Sequence, residues 1–133
     1  MPPSESSYYA DWIRIADKDL KRVENLLSLD DPEGAGFYLQ QAIEKYLKAF
    51  LLSRGWQLKR IHDLETLVND ALAHDSTLEE FRALCQTVSG FYFLERYPLP
   101  ITAGVSEEDV RDALDESRRL IDRLRVHLGL IGG

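Results

Sequence analysis

Apolar residues recur along this chain at intervals of three and four over five stretches, and nowhere do they alternate as a strand would require. The first stretch predicts a helix from about Ser7 to Ser28, with Trp12, Ile15, Ala16, Val23 and Leu26 on one side. The run from Asp30 to Gly34 reads as a turn. A second helix is predicted from about Ala35 to Arg54, its inward stripe made by Leu39, Ile43, Tyr46, Leu47 and Phe50. Gly55 is its stop, after a basic last turn that suits the helix dipole. The third helix is short, about Asp63 to His74, with Asp63 as N-cap and Leu64, Leu67, Val68 and Leu72 inward. The fourth runs from Thr77 to about Tyr97, entered through Asp75 or Ser76, with Leu78, Phe81, Cys85, Val88 and Tyr92 on one face. Pro98 and Pro100 end it. The fifth opens at Ser106 with three acidic residues in its first turn, and carries Val110, Ala113, Leu114, Ser117, Ile121, Leu124 and Leu128. The expected fold is all-α: one antiparallel up-and-down bundle of four long helices and a short one over residues 7–128. Residues 1–6 are expected to be a disordered tail and 129–133 a C-terminal tail.

Three departures from a plain bundle point to contacts. On the second helix the polar strip Gln41, Glu44, Lys45 and Lys48, opposite the core, is bracketed by Phe37 and Leu52. Phe91, Tyr92 and Phe93 point about 100° apart, so one core face does not take all three. Together these predict a homodimer with Phe37, Leu52, Phe91 and Phe93 as contacts. Asp19 falls inside the first helix's apolar stripe and requires a cationic or hydrogen-bonding partner, expected from the second or fourth helix.

Composition narrows the class. A chain of 133 residues, 44% hydrophobic and 29% charged, buries a core without staples. Cys85 is the single cysteine, which rules out an internal disulfide and agrees with a reducing cytoplasm. No apolar run approaches the roughly 20 residues that span a bilayer. The first residues have no basic or apolar character, so no signal peptide is expected. The formal charge of -7 argues against broad nucleic-acid binding. Yet between Lys45 and Arg60 lie Lys45, Lys48, Arg54, Lys59 and Arg60 with no acidic residue, and Tyr46 and Trp56 among them. Such an island is where a phosphate-bearing ligand is expected.

Enzyme motifs are sparse. His62-Asp63 is one dipeptide in a chain with three histidines, too little for a metal centre, and no metal or cofactor is expected. Cys85 on an apolar face behaves as a small hydrophobe. No Gly-rich phosphate loop or Gly-x-Ser-x-Gly turn occurs. Arg96, at a helix end beside aromatics, suits a carboxylate or phosphate through its planar fork.

The order Trp12, Ala16-x-x-Asp19-Leu20, then Gln40-Gln41-Ala42-x-Glu44-Lys45-x-Leu47-Lys48-Ala49, then Gly55, His62-Asp63-Leu64 and Arg96-Tyr97-Pro98 resembles the HEPN domain (higher eukaryotes and prokaryotes nucleotide-binding). The resemblance covers about Tyr8 to Leu128. It implies a helical bundle that pairs as a homodimer, often encoded beside a nucleotidyltransferase, with some members acting as ribonucleases or toxins and others binding nucleotides. Nuclease members carry an arginine followed after four to six residues by histidine. Here the positions after Arg96 are Ile101, Thr102 and Ala103, and no histidine in the chain has an arginine at the matching distance before it. That argues against catalysis by the family route. The leading expectation is a non-catalytic module binding a nucleotide, RNA or phosphorylated ligand, or a nucleotidyltransferase partner, through Lys45, Lys48, His62, Arg96 and Tyr97. Two rivals stay open: a ribonuclease with a degenerate site using His62, and an interaction scaffold from a toxin–antitoxin type pair.

Overall fold

The computed structural model describes residues 5–96 and 104–130, with side chains through residue 92 and again from residue 104. Five α-helices and one 3₁₀ segment make up the described chain, with no strand among those residues. They are α1 (Tyr9–Ser28), α2 (Pro32–Ser53), α3 (Leu64–Leu72), the 3₁₀ turn Ser76–Phe81, α4 (Arg82–Arg96) and α5 (Glu107–His127). Pro98, Pro100 and the Ile101–Ala103 positions fall outside the described residues.

Local chemistry sets the boundaries. Pro32 opens α2 rather than interrupting the link before it, because a helix's first position needs no amide hydrogen. Asp31 caps that end, its Oδ1 accepting from Gly34 N at 3.0 Å. The predicted turn therefore shrinks to three residues. Asp63, Asp75 and Ser106 cap α3, the 3₁₀ turn and α5 in the same way. The stretch predicted as one helix from Thr77 instead starts as 3₁₀ and becomes α-helical at Arg82. At the end of α2 the Gly55 amide reaches Leu52 O and the Trp56 amide reaches Leu51 O. Gly55 takes φ +88, the left-handed conformation this stop demands.

Side-chain pairs fix the directions. Asp17 meets Tyr46 while Trp12 meets Lys48, so partner numbers fall as the chain rises and α1 and α2 run antiparallel. Arg118 meets Glu24 and Arg125 meets Asp17, which makes α5 antiparallel to α1. Glu65 with Gln86 and Asn69 with Arg82 do the same for α3 and α4.

Two expectations about faces are corrected. On α1 the buried positions are Ile13, Ala16, Asp19, Val23 and Leu27. Trp12, Ile15 and Leu26, predicted inward, are only half-buried, so the buried face is rotated slightly from the predicted one. On α2 no solvent face runs opposite the core. α1, α3, α4 and α5 all pack on it, burying Gln40, Glu44 and Lys48 with the apolar stripe. A helix enclosed by four others loses its amphipathic signature, and the charged residues along it turn inward as pairs.

Candidate functional site

Of the residues that carry the family likeness, Trp12, Asp19, Gln40, Glu44, Lys45, Lys48 and His62 gather along the seam between α1, α2 and the loop before α3. Asp19 is 1% exposed. Its Oδ1 takes Arg22 at 2.6 Å and its Oδ2 takes the Lys45 ammonium. One partner thus comes from its own helix, three residues on, and the other from α2.

A turn away, Glu44 is the hub of a second cluster. Its carboxylate takes Lys48 Nζ at 3.1 Å, His62 Nδ1 at 3.2 Å and Gln40 Nε2 at 3.4 Å. Gln40 also donates to the His62 carbonyl at 3.3 Å, pinning the loop to α2. The spacing of Gln40, Glu44 and Lys48 along α2 places them on one helix face. Lys48 stands with its ammonium 5.2 Å from the centre of the Trp12 ring. Its side chain is 2% exposed and that of His62 is 71% exposed. Lys48, expected to offer charge to a ligand, is therefore enclosed and paired. The expectation failed because it placed this strip opposite the core, whereas four helices pack around α2. The i, i+4 spacing of Gln40, Glu44 and Lys48 was the available signal.

Beside this seam lies an open cleft of about 430 Å³ between the segment entering α1, α1 itself and Lys45. Trp12 and Ile15 form its apolar wall, Arg14 and Lys45 bring positive charge, and Glu5 and Asp11 bring negative charge. The indole is held at its edge: its Nε1 donates to the Ser6 carbonyl at 2.7 Å, and the Ser6 hydroxyl donates to Asp11 at 2.7 Å. Glu5 and Ser6, assigned to a tail from the sequence, are part of this wall. Arg14 makes no ion pair among the described residues.

The basic island divides. Lys45 faces the cleft, whereas Arg54 donates to the His127 carbonyl at 3.1 Å and lies over the Phe50 ring. Lys59 sits 6.0 Å over Trp56, whose Nε1 donates to Asp70 at 3.1 Å, and Arg60 is exposed in the same loop. His62 is not part of the cleft lining. The Arg96 side chain and Tyr97 lie outside the described residues, as does the Phe93 side chain.

Of the expected dimer contacts, Phe37 is half-buried and stacks on Tyr92 at 5.4 Å, and Leu52 is half-buried. Phe91 is 6% exposed and packs inside the fold against Gly36, so it offers no contact surface. The close approach of α4 to α2 at Gly36 draws it in.

Other perturbed groups are structural. Burial, then the Asp17 carboxylate that accepts its hydroxyl, raises the Tyr46 phenol above its ordinary range. Burial pushes the Cys85 thiol up to about 12. No group of three or more metal-ligating side chains occurs among the described residues. None of their helices is long and apolar enough to cross a membrane.

An all-helical bundle threaded by a central helix, with a polar seam joining its first two helices to the following loop, is the class of protein this chain defines. The family model for the HEPN domain matches residues 9–127, and the chain belongs to that family. The crystal structure of TT1696 from Thermus thermophilus superposes with a TM-score of 0.81 at 25% identity, over 92% of this chain and 99% of that one. ST0689, described as an archaeal HEPN homologue, gives a TM-score of 0.70 at 24% identity, over 89% of this chain and 95% of its own. No curated protein matches the chain.

Proposed function

We propose that this chain is a non-catalytic HEPN module that binds a nucleotide or another small phosphorylated ligand in the cleft beside Trp12 and Lys45. The observation that carries the reading is the cleft itself. Its volume falls within the roughly 300–1,000 Å³ typical of small-ligand sites. It pairs an indole wall with Arg14, which makes no ion pair among the described residues, and Lys45, whose charge is shared with Asp19. A planar base suits the indole and Ile15, and a phosphate suits the Arg14 fork. The proposal includes a homodimer, with Phe37 and Leu52 as its contacts. A nucleotidyltransferase remains the partner protein that the family likeness suggests.

Calorimetry with adenosine monophosphate, adenosine triphosphate and inorganic phosphate tests the cleft. Binding is expected to weaken as salt rises, and Arg14→Ala and Trp12→Leu are each expected to weaken it. Arg118→Ala, on α5 against Glu24, is expected to leave it unchanged. Heat changes equal in all four proteins, or none with any ligand, would remove the cleft as a site.

A second reading has one observation in its favour. The exposed His62 imidazole backed by the buried Glu44 carboxylate is an arrangement that general bases use. Cleavage of single-stranded RNA abolished by His62→Ala would replace the binding module with a ribonuclease. No cleavage is the expected result.

A further inference from the structure

We propose that His62 is a positioning residue for the cleft, its protonation state setting, through Glu44 and Lys48, where the Trp12 indole stands. The link is a continuous row of contacts. His62 Nδ1 lies 3.2 Å from Glu44 Oε2, Lys48 Nζ lies 3.1 Å from the same oxygen, and that ammonium faces the Trp12 ring at 5.2 Å. Trp12 is the apolar wall of the cleft.

The chemistry of the carboxylate drives the coupling. An ionised Glu44 only accepts, so a neutral His62 must present Nδ1–H to it and turn its bare Nε2 outward. In that state Glu44 and Lys48 cancel each other inside the bundle, with side chains 5% and 2% exposed. When Nε2 takes a proton, one carboxylate faces two cations. The imidazolium reaches water, but the enclosed Lys48 does not. With its share of Glu44 reduced, Lys48 gains most by moving onto the negative face of the indole, its other close partner. The indole answers on the cleft side.

Few other charges intervene among the described residues. Glu44 and Lys48 are the charged groups α2 turns toward His62, and Gln40 contributes a neutral amide to its carbonyl. α1 brings the Trp12 ring, reached through Lys48, with Asp11 and Arg14 beside that ring on the cleft side. Asp63, next in the chain, is committed to capping α3: Oδ1 accepts from Glu65 N and Oδ2 from the Thr66 hydroxyl. In the loop, Lys59 lies over Trp56 and Arg60 is exposed.

Any effect on ligand affinity rests on the cleft being the binding site, whereas the motion of Trp12 does not. The chain's two tryptophans make the test direct, because each indole N–H gives its own resonance in a proton–nitrogen correlation spectrum. Trp56→Phe assigns them. Over a titration in pH, the Trp12 resonance is expected to follow a one-proton curve while that of Trp56 holds still. In His62→Gln, which keeps a donor for Glu44 but does not titrate, the curve should vanish, and His62→Asn should repeat the result. A flat Trp12 resonance in the parent protein overturns the proposal. So does a curve that survives both variants, since it then belongs to another group, such as Glu5 or Asp11 beside the indole. Adenosine monophosphate affinity measured across the same range is expected to change severalfold in the parent and stay level in His62→Gln. A Trp12 curve lost in the variants, with no ligand bound at any pH, would uphold the relay and overturn the cleft as a nucleotide site.

Discussion

Glu44 and Asp19 are both carboxylates inside the bundle, but their cations differ in access to water. Arg22 and Lys45, on Asp19, have side chains 49% and 19% exposed, so removing Asp19 lets them hydrate. Lys48, on Glu44, has no such route. Asp19→Ala is therefore expected to cost about 2 kcal/mol, and Glu44→Ala at least about 3 kcal/mol. Urea denaturation decides the order, and the reverse order would mean that Lys48 reaches solvent. Asp75 supplies a pH test. Its carboxyl is held below the usual range by the Thr77 hydroxyl first and also by His127 Nε2 at 2.8 Å. A lowered folded value makes its contribution present above the ordinary carboxylate range and lost as pH falls through the lowered value. Asp75→Asn should lower stability at pH 7, with the difference fading in acid; a pH-independent difference would refute the linkage. Asp19 was legible in the sequence because a charge in an apolar stripe stands out. The enclosure of Glu44 and Lys48 was not, because their strip was read as a contact surface opposite the core.

The helices were legible where capping chemistry is strong. Asp63 and Asp75 are caps in the sequence pattern and caps in the structure. Pro32 misleads because the same residue that ends helices also starts them, and only the Asp31 bond to Gly34 tells which. The environment of α2 was not legible at all, since a pattern along one helix does not count its neighbours. Gly36 marks a close approach in one of these packings: a Cβ there would fall 2.8 Å from Phe91 Cβ. Gly90, in the middle of α4, would meet no described atom within 4 Å. Replacing either by alanine gains about 1 kcal/mol of helix propensity, but at Gly36 overpacking costs about 1–3 kcal/mol. Thermal melts should show Gly90→Ala stabilised and Gly36→Ala destabilised. Equal shifts would mean α2 and α4 can slide apart freely.

At the scale of the molecule, the family and its all-helical bundle were legible from residue order, while the cleft was not: it depends on Ser6, Trp12 and Lys45, separated in sequence, meeting at one end of the α1–α2 pair. The proposed homodimer is checked by light scattering at micromolar concentration, where twice the chain mass is expected. A monomer throughout would return Phe37 and Leu52 to the role of rim residues in one bundle. The enclosure of α2 also bears on the order in which the chain assembles. Asp17 joins Tyr46 across 29 residues but Arg125 across 108, so the loop closed by the α1–α2 pair is far shorter than the one closed by α5. The central helix and its hairpin partner should therefore form the nucleus, with α5 arriving after the barrier. Stopped-flow kinetics would then show Leu47→Ala slowing refolding, whereas Leu120→Ala, on α5, would speed unfolding and leave refolding nearly unchanged.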